Sequence, residues 1–238
     1  MSFRPAARQF FERRAAPAWT NPYVTDGLVA MWDGEWNAGG GVHDAAATTW
    51  KNLAVDGMLD LSLNGNYTIT DNSVRFTGGY GIADKYDFTG KVGATISVLA
   101  SYNSTGLNSN GWSYAGASPR LAAYYDGGGW NLSSRYNPPK IIDSYTPGTV
   151  YRYDFVWDVS NQILAVYKNG TLVGSATDSP YLGNTTNHFR MMAYGNSSDA
   201  NSATFSGNVF NCMVYAKALS AAEIAANYAI DKARFNLP

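Results

Sequence analysis

The sequence is poor in the groups that most enzyme and metal chemistry needs. It has 238 residues but one cysteine, Cys212, and two histidines, His43 and His188. A single thiol cannot close an internal disulfide, and a zinc site built on thiolates or clustered imidazoles needs more ligands than these. Lys+Arg 17 against Asp+Glu 18 leaves a net charge of -1. That balance argues against a nucleic-acid binder, which needs an excess of cations facing phosphates. Charged residues are 15% of the chain, below the roughly 25% of ordinary domains. No apolar run approaches the roughly 20 residues of a membrane helix.

Aromatic and small polar residues are abundant instead. There are 17 tyrosines, 7 tryptophans and 24 glycines, and hydrophobic residues make up 45%. That share can bury a core. The mix fits many short strands joined by polar turns.

The first 18 residues stand apart. Arg4, Arg8, Arg13 and Arg14 against Glu12 give this segment +3, so the rest of the chain carries -4. Phe3, Ala7, Phe10 and Phe11 recur at helical spacing, Ser2 can cap, and Pro17 ends the run. The arginines break every stretch that could be a secretory signal core. A short basic amphipathic helix can dock on a partner, a membrane surface or an acidic assembly, or pack on its own domain. Residues 1–23 therefore read as an anchor and linker, with Phe3, Arg4, Arg8, Phe10, Phe11, Arg13 and Arg14 as the docking side chains. Residues 24–238 read as one domain.

The body reads as strands. Tyr151, Tyr153, Phe155 and Trp157 alternate with Arg152, Asp154 and Asp158, which predicts one covered face and one largely wet face. Asn169-Gly170 between two apolar runs is a strong signal for a two-residue hairpin. Further strands are expected over Gly27–Trp32, Tyr67–Thr70, Ser73–Thr77, Ala94–Tyr102, Arg120–Tyr125, Asn131–Tyr136, Phe189–Tyr194 and Val209–Ala216. Strands do not alternate with helices, so the expected class is all-β, a two-sheet antiparallel sandwich. One C-terminal helix is well marked: Ser220 and Glu223 form a capping box, with Leu219 and Ile224 as a staple. The helix is expected at an end of the sandwich.

Several stretches resemble the laminin-G-like, concanavalin A-like jelly-roll superfamily. They are Gly27-Leu-Val-Ala-Met-Trp32, Val74-Arg-Phe-Thr-Gly78, Ala94-Thr-Ile-Ser-Val98 and Tyr151-Arg-Tyr-Asp-Phe155. The most specific are the hairpin Leu164-Ala-Val-Tyr-Lys-Asn-Gly-Thr-Leu-Val173 and the exit Val214-Tyr-Ala-Lys-Ala-Leu-Ser-Ala-Ala-Glu-Ile-Ala-Ala-Asn-Tyr228. The resemblance spans about residues 24–232 and implies a jelly roll. It does not imply one function, since such domains include carbohydrate binders, adhesion modules, glycoside hydrolases and surface proteins of bacteria and phages. The stretch from Trp32 to Leu53 is similar to a variant seen in gut-bacterial and phage proteins.

Glycosidases need two placed carboxyls, and hydrolases of this fold carry an E-x-D-x-x-E row that is missing here. The expectation is therefore a non-enzymatic virion or cell-surface module, held in a larger assembly by its N-terminal segment, oligomeric, and displayed for glycan binding or adhesion. A glycoside hydrolase on the same fold and a purely structural decoration protein are the alternatives. Sugar stacking needs an exposed aromatic face beside amides and carboxylates. Trp112, Tyr114, Asp126, Trp130 and Asn131 are the candidates, while Trp32, Trp50 and Trp157 read as core. A structural calcium ion is a candidate cofactor, since hard cations take loop carboxylates, with Asp33 and Asp44 as its ligands. Cys212 reads as a buried thiol.

Overall fold

The computed structural model describes residues 20–54, 59–84, 86–103, 113–114, 121–126, 128–133, 140–178, 180, 182, 188–194, 203–204 and 206–238. The docking residues Phe3 to Arg14 and the stacking candidate Trp112 lie outside the described residues, as do the side chains of Tyr114 and Asp126.

The chain opens with β1 (Leu28–Asp33), β2 (Thr49–Trp50), β3 (Leu61–Asn64), β4 (Tyr67–Thr70), β5 (Ser73–Thr77), β6 (Tyr80–Ala83) and β7 (Gly93–Tyr102). It continues through β8 (Ser113–Tyr114), β9 (Leu121–Asp126), β10 (Gly129–Ser133), β11 (Lys140–Ile142), β12 (Val150–Asp158), β13 (Ile163–Lys168) and β14 (Thr171–Thr177). The last elements are β15 (Phe189–Met191), β16 (Ala193–Tyr194), β17 (Ala203–Thr204), β18 (Ser206–Tyr215) and helix α1 (Ala221–Phe235).

Two antiparallel sheets form the sandwich. The first has the order β14-β13-β12-β7-β18-β5-β4, with β1 paired along the C-terminal half of β18. The second runs β11-β10-β9-β8-β15-β6-β3-β2. Asn169 and Gly170 both hold positive φ, as a type I′ hairpin requires. The inner faces close over one aromatic core in which Trp32 stacks on Phe189, and Trp130 packs against Tyr153 and Phe155. Trp50, Trp157 and Cys212 are buried as their apolar contexts indicate.

The alternation in β12 sends Tyr153, Phe155 and Trp157 inward. Its other face is not wet, contrary to expectation. Arg152 and Asp154 are fully buried, because α1 lies across the outer face of the first sheet rather than at an end of the sandwich. Met31, Val156, Ala165, Met213, Tyr215, Leu219 and Ile224 form a second core beneath the helix. The helix begins as the sequence indicates: Ser220 accepts from the Glu223 amide, and Glu223 reaches back to the Ser220 amide at 2.8 Å.

Charges fill the centre of this second layer. Arg152 Nε donates to Asp154 Oδ1 at 3.1 Å, and its Nη1 bonds Asp231 of α1. Ser97 adds a 2.6 Å bond to Asp154. Burial pushes the Asp154 carboxyl above its usual range, while Arg152 pulls it back. Burial opposes the charge on Arg152 as well, yet Asp154 and Asp231 hold its pKa above the ordinary guanidinium value. Removing one partner of such a set leaves the others charged and dry. Arg152→Leu is expected to lower stability by about 3–5 kcal/mol, read from the urea unfolding midpoint at constant m. A change of under about 1 kcal/mol would show that the carboxylates find another partner.

Candidate functional site

The sandwich has two outer faces, and they differ in kind. The helix covers the middle of the outer face of the first sheet, over Met31, Val156, Ala165 and Met213. The second sheet turns outward the side chains that alternate with its core residues. In β10, Trp130 points into the core and Asn131 points out; in β15, Phe189 and Met191 point in and Arg190 points out. Directly paired residues share a face. The pairs Asn131↔Lys140, Arg190↔Ile82 and Ile82↔Ser62 therefore place Lys140, Ile82 and Ser62 on the same outer face.

This arrangement sorts the sugar candidates. Trp130 is 1% exposed and lies among Tyr102, Tyr125, Tyr153 and Phe155. It is a core residue and offers no face for stacking, which corrects its reading as a sugar platform. The period of two decides this: one position along, Asn131 faces the other way. Tyr114 occupies the position paired with Phe189, a core position, so its register is the inner one. Asp126 pairs with Gly129, two residues from Asn131, and its register position is outward. Of the five candidates, the structure thus brings Asp126 and Asn131 to one outer face on neighbouring strands.

Asn131 is unusual there. It is 6% exposed and its Nδ2 has no hydrogen-bond partner. A buried donor left unpaired costs about 1–3 kcal/mol. Arg190, 1% exposed, lies on the same face three strands away, about 14 Å across the sheet. The chain pattern alone could not single out Arg190, because it stands between core residues in a strand too short to show alternation.

The metal candidates separate too. Asp33 is fully buried at the end of β1, and Arg234 of α1 grips its carboxylate with Nη1 at 2.7 Å and Nη2 at 3.1 Å. Burial raises the Asp33 pKa, and the Arg234 bonds work against that rise. A guanidinium therefore stands where a cation was expected, which corrects the assignment of Asp33 to calcium. Asp44 is exposed and caps its own turn through Ala46, while Asn37 clamps its backbone. Among the described residues, no group of three His, Cys, Asp or Glu side chains is placed to hold a metal.

A second feature lies on the helix side. Arg234 also bonds Glu35 at 2.8 Å and lies 4.1 Å from the centre of the Trp36 ring. The N-terminal approach is pinned beside it. Tyr23 donates to Asp231 at 2.6 Å, Arg234 donates to the Tyr23 hydroxyl at 2.7 Å, and the Val24 amide donates to Asn227 at 2.9 Å. Burial and the neighbouring Asp231 push the Tyr23 phenol well above its usual range, so it keeps its proton and donates. An open groove of about 630 Å³ runs past these residues.

The chain belongs to the concanavalin A-like lectin/glucanases superfamily, whose model matches residues 93–225, more than half of its length. No curated protein matches it. Among solved structures, Trypanosoma rangeli sialidase in complex with 2,3-difluorosialic acid superposes with a TM-score of 0.63 at 18% identity, over 85% of this chain and 33% of the sialidase. Domain 4 of a GH43 extracellular arabinanase from Geobacillus stearothermophilus, in complex with arabinotriose, superposes with a TM-score of 0.63 at 14% identity, over 83% of this chain and 96% of that domain. The chain thus spans about a third of the sialidase length. At these identities the likeness shows the fold, which is a lectin- and glucanase-like carbohydrate-binding fold. It also corrects the non-enzymatic expectation. That expectation rested on a missing carboxylate row, whereas domains of this shape stand within sialidase and arabinanase chains.

Trp130→Ala tests the sorting of the candidates. It should cost about 3–5 kcal/mol of stability, measured by thermal or urea unfolding. A stable variant with only weakened sugar binding would return Trp130 to the surface.

Proposed function

We propose that this chain is a glycan-binding domain that takes an oligosaccharide across the outer face of its second sheet. The observation that carries the reading is the buried, unpartnered Nδ2 of Asn131 on that face. A sugar hydroxyl or ring oxygen would accept from it and offset the desolvation already incurred. The arabinanase domain solved with arabinotriose supports the class of ligand. The larger context follows from the two faces. Tyr23 and Val24 enter on the helix side, so the domain can be held there, at a cell surface, in a virion or in a longer chain, while its other face is presented. The enzyme chains among the structural neighbours favour a second reading of that context, in which the domain holds the substrate of a carbohydrate-active enzyme.

The test is a glycan array that includes arabinotriose and sialylated oligosaccharides, followed by calorimetric titration of any ligand found. Asn131→Ala is expected to weaken binding about five- to tenfold while leaving stability unchanged or slightly raised. Undiminished binding by the folded variant would sink the assignment of this face.

A further inference from the structure

We propose that the groove on the helix side is the seat of residues 1–18 of the same chain. This inference stands apart from the glycan reading, since it concerns the opposite face. Ala229 and Ala233 lie one turn apart on α1, both exposed, with the half-buried Ile230 between them. Their small side chains leave a channel along the helix surface. Trp36 forms its other wall, held in place by the Arg234 guanidinium. The floor is therefore apolar and fixed, and at the rim the exposed Glu35 has its carboxylate paired with Arg234.

The occupant follows from where the chain enters. Pro22 itself lines the groove, and Tyr23 and Val24 are pinned to α1 just beyond it. Residue 18 is four positions from Pro22, a reach of at most about 14 Å. A tether that short gives an effective concentration in the millimolar range. Phe3, Phe10 and Phe11 supply large apolar side chains for the channel beside Ala229 and Ala233. The segment carries +3 against -4 for the rest of the chain, so its charge favours the domain over solvent. Seated this way, its arginines add a basic surface on the side away from the glycan face.

Trypsin reads this directly, because Arg8, Arg13 and Arg14 are cleavage sites within the segment. In the full chain, cleavage after these residues should be about tenfold slower than in the Ala229→Arg/Ala233→Arg variant, since proteolysis tracks the undocked fraction. Arginine is a good helix former, and both positions are exposed. Phe10→Ser/Phe11→Ser leaves the sandwich untouched and should give the same acceleration. Protection should not change with protein concentration. Equal rates in all three proteins would overturn the proposal. So would protection that survives the groove substitutions. Protection that grows with concentration alongside a dimer mass would assign the groove to a second copy instead, and would also overturn it.

Discussion

The structure turns on the guanidinium of Arg152, fully buried between a sheet and a helix. It binds Asp154 on its own strand and Asp231 on α1. Water cannot screen these charges, so each needs the others in place. The helix is thereby fixed on one face of the first sheet by charge as well as by Ile224 and Leu219. Asp231 also accepts from Tyr23 and Asn211, which carries the same network to the N-terminal approach. Both ends of the described domain are thus tied to one spot on one side.

This tie sets the helix side of the sandwich apart from the outer face of the second sheet. The helix side takes up polar residues that the sequence offered to a metal or to solvent: Asp33 is held by Arg234, and Asp154 by Arg152 and Ser97. Among the described residues no helix lies over the second sheet, and its outer face keeps polar groups of its own. Asn131 sits there with a donor that no atom of the described residues satisfies. A fold that pairs its charges so thoroughly on one side, and leaves a desolvated amide unpaired on the other, separates holding the domain together from meeting a ligand.

Much of the architecture was legible in the chain. The alternation of β12, the Asn169-Gly170 turn and the capping box at Ser220 are local devices, and each acts through neighbours a few residues away. What the sequence hid depends on contacts between distant segments. Arg152 and Asp154 look like a solvated face until α1, about 70 residues later, is laid over them. Asp33 looks like a loop carboxylate until Arg234 closes on it from the other end of the chain. Trp130 and Asn131 were both plausible sugar contacts, but a strand turns adjacent residues to opposite faces, and only the register with β9 and β11 decides which is inside. Strands β2, β3, β6, β8, β11 and β17 were missed because two to four residues carry too little periodicity to register.

The outer face of the second sheet, and not the helix side, is the proposed glycan surface. Nuclear magnetic resonance of the 15N-labelled full chain, titrated with arabinotriose, tests it most directly. The side-chain amide of Asn131 and the backbone amides of β9, β10 and β15 are expected to shift together as ligand is added, while the amides of α1 stay still. Shifts confined to α1 and the Trp36 region, or a ligand-saturated protein in which the Asn131 side-chain signal has not moved, would contradict it.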